Sequence, residues 1–145
     1  MSGAFLGTFE NSLSNRRVSI PQDFRKQFAT AAKNRVTLVR GKMNTLYIYP
    51  FDNWKELQQK LSNGSNTQKE MLRRLRLYAT VLELEGPGRI LIPKNLLNIV
   101  KVNKKVIFLG EGNFFSMWNP EKFKEYKQQI DKDYDDMIEE NINLL

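Results

Sequence analysis

Apolar and polar residues alternate along the chain at two places that read alike, Arg17-Val18-Ser19-Ile20-Pro21 and Arg89-Ile90-Leu91-Ile92-Pro93. A period of two argues for a strand with one buried face. The closing proline cannot donate to a ladder but suits the opening turn of a helix. The two runs stand 72 residues apart, which makes internal duplication the first hypothesis to test along the rest of the chain. Further on, the offset settles at 69: Gly41 falls on Gly110, Leu46 on Phe115, Ile48 on Met117, Tyr49 on Trp118, Trp54 on Phe123, Leu57 on Tyr126 and Leu61 on Ile130. Each copy therefore reads as strand, turn, strand, short helix, strand, turn, strand, longer helix. The first strands are expected over 5–13 and 81–85, the short helices over 22–31 and 94–100, and the second strand pairs over 36–40 with 45–49 and 106–109 with 115–118.

Between the copies lies the polar loop Ser62-Asn63-Gly64-Ser65-Asn66. Thr67 with Glu70 three residues on forms a capping box opening a helix over about 67–78, with Met71, Leu75 and Tyr78 on one face and Lys69, Arg73, Arg74 and Arg76 elsewhere. A last helix from about Glu121 carries Phe123, Tyr126, Ile130, Tyr134, Met137 or Ile138, and Ile142 at helical spacing, an apolar stripe expected to pack on its own domain. Its other faces turn acidic from Asp131 onward. The chain is expected to divide into a first unit over 5–61, a connecting loop and helix over 62–78, a second unit over 79–130 and an acidic helix over 131–145.

Charge and composition narrow the chemistry. The 145 residues carry a formal charge of +7 with no histidine and no cysteine. Zinc sites built on Cys and His, nucleophiles activated by His, and disulfides are all excluded, and an enzyme would be left with carboxylates, Lys or Tyr. No cofactor or metal is expected. Residues 1–50 hold eight Lys/Arg against two acids, whereas 101–145 hold seven against nine, so the positive field belongs to the N-terminal two-thirds. Such a field concentrates polyanions, nucleic acid foremost. The N-terminus lacks the basic start and apolar run of a signal peptide, and no stretch approaches a membrane span, which reads as a soluble cytoplasmic protein without a membrane partner.

Taken together, several of these residues resemble the MraZ family of bacterial transcription regulators, built from two AbrB/SpoVT-type swapped-hairpin units. The resemblance rests on Phe5-Leu6-Gly7, on Arg17-Val18-Ser19-Ile20-Pro21 followed by Phe24-Arg25, and on Leu46-Tyr47-Ile48-Tyr49-Pro50 before Trp54. It continues through Arg89-Ile90-Leu91-Ile92-Pro93 to Gly110-Glu111-Gly112-Asn113 and Trp118-Asn119-Pro120. It spans nearly the whole chain. The implied fold is α+β: two β-rich swapped-hairpin units forming one pseudo-twofold β-barrel, with a helix after each. The implied function is sequence-specific binding of double-stranded DNA at promoter repeats upstream of a cell-division and cell-wall gene cluster. The implied assembly is a homo-oligomeric ring, an octamer among the candidate sizes, located with the nucleoid. The family's Asp-x-x-x-Arg turn survives in copy two as Glu85-Gly86-Pro87-Gly88-Arg89. Copy one has Ser14-Asn15-Arg16-Arg17, one residue shorter, with Arg16 in place of the usual Gly and no acid before the arginine.

Arg16, Arg17 and Arg89 are therefore the candidate base and phosphate contacts, since a guanidinium can grip guanine bidentately, and Arg25 and Lys26 extend the positive charge beside them. Glu85, Gly88, Pro21 and Pro93 are expected to shape the turns and helix starts. The alternative role for Arg89 is an ion pair with Glu85 across its own turn. Arg16 and Arg17, without a nearby acid in sequence, are expected to stand unpaired, giving copy one most of the DNA contact and copy two more of the scaffold. The aromatics Tyr47, Tyr49, Trp54, Phe114, Phe115 and Trp118 match between copies and read as packing rather than base-stacking platforms. Glu83 and Glu85 share a strand face but have no acidic strand opposite, so catalysis is not expected. Against DNA binding stands a reading from another class, a protein-interaction or assembly module that has kept the fold.

Overall fold

The computed structural model describes residues 1–145. Its eight strands are β1 (Thr8–Ser14), β2 (Arg17–Ser19), β3 (Arg35–Arg40), β4 (Leu46–Pro50), β5 (Thr80–Glu83), β6 (Arg89–Leu91), β7 (Lys105–Gly110) and β8 (Phe115–Trp118). Five α-helices accompany them: α1 (Gln22–Arg25), α2 (Phe51–Ser62), α3 (Asn66–Tyr78), α4 (Lys94–Val100) and α5 (Pro120–Glu140). All neighbouring strands run antiparallel in the order β5-β3-β4-β8-β7-β1-β2-β6, and a bridge between Glu85 and Arg89 brings the two ends of that order together into a nearly closed barrel.

The pairing is exchanged between the copies. Hairpin β1–β2 of copy one pairs through β1 with β7 of copy two, and β5 of copy two pairs with β3 of copy one. Two seams join like to like. In one, β2 meets β6 with Val18 opposite Ile90, and in the other, β4 meets β8 with Tyr47 opposite Ser116. Both pairs are equivalent positions of the duplication, so the pseudo-twofold axis crosses the barrel through them.

Alternation decides which side each residue takes. Val18, Ile20, Ile90 and Ile92 point inward and are buried, joining Phe5, Phe24, Phe108 and Phe115 in a 16-residue core. Burying one such side chain is worth about 1.5–3 kcal/mol. Phe24 and Phe115 lie 4.8 Å apart by ring centroids, and Phe5 meets Phe24 edge-on at 5.5 Å. A second cluster lies outside the barrel, where Val39, Tyr49 and Trp54 pack with Leu57 and Leu75 under α2 and α3. The aromatics expected to pack do so: Tyr49 stacks on Phe114 at 4.8 Å, and Phe115 and Trp118 are buried.

Five expectations need correcting. The helix expected over 22–31 ends at Arg25, because the N-terminal segment captures its backbone: the Gly3 amide donates to the Gln27 carbonyl, and Ser2 Oγ accepts from the Ala29 amide at 2.8 Å. The strand expected over 5–13 is broken at Gly7, whose φ is 91°, leaving Phe5 as an isolated bridge to Gly112. The cap of α3 is Ser65, which exchanges bonds with Gln68, not Thr67 with Glu70. The buried face of α3 is set by Leu72, one position round from the expected Met71, which is 47% exposed. The stripe on the last helix packs only at its start, where Tyr126 stacks on Trp118 at 4.9 Å; further along, Tyr134 and Met137 are each 55% exposed.

Candidate nucleic-acid interface

At the β2–β6 seam, the residues that alternate with the buried valine and isoleucines face outward. Arg17 stands opposite Leu91 and Arg89 opposite Ser19, with Val18 and Ile90 paired between them. The two arginines are thus related by the pseudo-twofold axis on one two-stranded ribbon, although 72 residues separate them in sequence. Each opens its strand directly after a hairpin turn, and the two turns sit at opposite ends of the seam.

The turns reach the same place by different chemistry. In copy one, Asn15 and Arg16 both have positive φ, 52° and 61°, the signature of a two-residue hairpin turn whose twist matches its strands. Asparagine tolerates that region; an arginine there costs roughly 1–2 kcal/mol. Arg16 is held by copy two: its carbonyl accepts from the Ile92 amide at 2.8 Å, and its guanidinium donates to the Ile92 carbonyl at 3.2 Å. In copy two the turn is a residue longer and glycine supplies the positive φ, at Gly86 (51°) and Gly88 (119°). The Gly88 carbonyl accepts from the Ile20 amide at 2.9 Å, the counterpart of the bond that holds Arg16. A Cβ on Gly88 would also collide with the side chain of Arg25, which lies across the turn. Pro21 and Pro93 stand at the N-caps of α1 and α4, with φ of −51° and −58°.

The expected pairing of charges changes. Arg17 is not unpaired: its Nε lies 3.4 Å from Glu85 Oε1, across the copies, with the two side chains 40% and 42% exposed. Glu85 therefore engages Arg17 by its carboxylate and Arg89 only through the backbone bridge. Arg16 is half-buried and spent on the Ile92 carbonyl rather than standing free. Arg89 is the exposed member of the set and has no acid within 4 Å. Arg25 is half-buried, its Nε enclosed without a hydrogen-bond partner, and Lys26 is exposed beside it. Arg25 and Lys33 border a groove of about 620 Å³ beside the Gly86–Gly88 turn.

Other cations have partners within the chain, some of them exposed ones. Arg35 lies 3.9 Å over the Phe51 ring, Arg74 pairs with Glu70 on its own helix, and Arg76 donates to Gln58 on α2. The Ser19 and Leu91 positions flanking the arginines were not singled out from sequence; their outward alternation was readable, but their juxtaposition depends on the exchanged pairing. No group of acidic side chains is arranged to hold a metal ion, and no helix is long and apolar enough to cross a membrane.

Comparison with known proteins settles the lineage. The model of the MraZ protein family, whose description adds a likeness to antitoxins, matches the chain twice, over residues 4–77 and 75–143. The chain belongs to the MraZ family. Its MraZ relatives include the "Transcriptional regulator MraZ" of Natranaerobius thermophilus, 30% identical over 97% of this chain and 98% of that one. Those of Caldanaerobacter subterraneus and Clostridium tetani are each 30% identical as well, over 96% and 97% of this chain and 99% and 98% of theirs. The double match agrees with the MraZ duplication seen in the barrel, and the exchanged hairpins explain why two matched halves make one core.

Proposed function

We propose that this MraZ-family chain is a sequence-specific DNA-binding transcription regulator that uses the outward face of the β2–β6 ribbon. The observation that carries the reading is the placement of Arg17 and Arg89 on one ribbon face, symmetric about the pseudo-twofold axis. A two-stranded ribbon fits the major groove, where arginine can bond guanine O6 and N7 bidentately. Lys26, exposed beside it, supplies a phosphate contact, with Arg16 and Arg25 adding positive field at the turns from their held positions, and such contacts fix register without reading sequence. Arg89, exposed and without an acid, contributes at least as much as Arg17. The relatives named as transcription regulators support the class.

One chain presents few base contacts, so useful affinity comes from repetition: a homo-oligomeric ring engaging short repeated elements, where linkage of sites multiplies avidity. On the family resemblance, we take those elements to lie upstream of a cell-division and cell-wall gene cluster. The test is fluorescence anisotropy on duplex fragments selected from the source genome, across a salt series. Affinity should fall steeply from low to moderate salt, and Arg16→Ala with Arg17→Ala, or Arg89→Ala alone, should erase the preference for the selected repeat. Equal binding of the repeat by parent and variants would overturn the ribbon reading and favour a protein-interaction module.

A further inference from the structure

Two apolar surfaces are left bare in the same chain, and their charges are opposite. On α3, the rotation that buries Leu72 turns Met71 outward, and Met71, Leu75 and Tyr78 floor a groove of about 600 Å³ rimmed by Arg40, Lys42 and Arg74. No acid lines it. On α5, the residues past Ile130 carry an exposed stripe of Tyr134 and Met137 in a decapeptide, 131–140, with six acids and one lysine.

The duplication shows why the second surface is bare. At the offset of 69, the loop at 62–65 that turns α2 back into α3 falls on 131–134, inside α5. Copy one folds its second helix onto its first; copy two runs straight. The distal half of α5 therefore leaves the barrel with Tyr134 and Met137 uncovered. Its first half is fixed by Phe123 and Tyr126 against Trp118, so the helix is presented rather than free to fold back.

We propose that residues 130–140 of α5 form an assembly arm that seats in the α3 groove of a second copy of this chain. Tyr134 and Met137 would enter the apolar floor, and the flanking carboxylates would face Arg40, Lys42 and Arg74. Complementary charge sets partner and register. The contact joins two different surfaces, so it propagates head to tail and closes into a ring when the rotation permits. This names the interface of the ring proposed above and rests on that reading for its closure.

The test measures solution mass by sedimentation and light scattering on full-length chains, with circular dichroism as the check of folding. The arm variant is Tyr134→Asp with Met137→Asp, and the groove variant is Met71→Asp with Arg74→Asp; all four side chains are exposed. The parent should be an oligomer, dispersed by raised salt, and each variant a folded monomer of 17.0 kDa. Mixed in equal amounts, the variants retain one intact arm and one intact groove and should form a one-to-one complex of twice that mass. A folded arm variant that stays assembled, or a mixture that stays monomeric, removes this interface and leaves the ring. A monomeric parent removes both. Anisotropy on a single duplex element separates these outcomes from the DNA reading, because the monomeric arm variant should keep single-site binding and lose only the gain from repeated sites.

Discussion

Glu85 supplies the one carboxylate within 4 Å of any of Arg16, Arg17, Arg25 and Arg89. Half-exposed ion pairs contribute little to stability, so its effect should appear in binding. Glu85→Gln releases Arg17 and is expected to raise affinity for unrelated duplex DNA about two- to five-fold. Glu83→Gln, the same charge change on an exposed residue without an arginine partner, should raise it less; equal gains in salt-dependent anisotropy would reduce the effect to net charge. The glycines allow a second comparison. Gly88→Ala meets both a φ of 119° and the Arg25 side chain, whereas Gly112→Ala meets a φ of 88° with open space around it. Denaturant unfolding should show a loss of about 2–3 kcal/mol for the first and about 1 kcal/mol for the second.

Among the elements, α3 shows where sequence reasoning reached and where it stopped. Its existence and its length to within a residue were legible from periodicity, but its cap was not, because Ser65 and Thr67 both stand in serviceable capping patterns. Ser65→Ala should cost about 1 kcal/mol in thermal unfolding, and Thr67→Ala much less. The strand-to-proline runs and the aromatic strands were readable because alternation and matched positions depend only on local period. The short α1 was not, since Ser2 and Gly3 end it from across the molecule. The same limit applies to the candidate interface. The turn arginines could be named from the motif, but the Glu85–Arg17 pair joins residues 68 apart and exists only because the hairpins are exchanged.

For the whole molecule, the outer aromatic cluster ties stability to alkaline pH. Burial, followed by Tyr47 and Glu111 nearby, pushes the Tyr49 phenol up to about 12 from its ordinary 10. The folded state therefore holds a proton that the unfolded chain gives up. This contribution is fully present below pH 10 and is lost as pH rises from 10 to about 12. Tyr49→Phe should flatten the fall in melting temperature across that window. The exchanged pairing has a further consequence, for synthesis. When the first half has left the ribosome, β3 still lacks β5 and β1 still lacks β7. At about 5–20 residues per second, the second copy follows roughly 4–14 s later. For that interval the nascent chain carries open strand edges, which are templates for pairing with a neighbouring nascent chain, so dense polysomes should favour intertwined dimers over monomers.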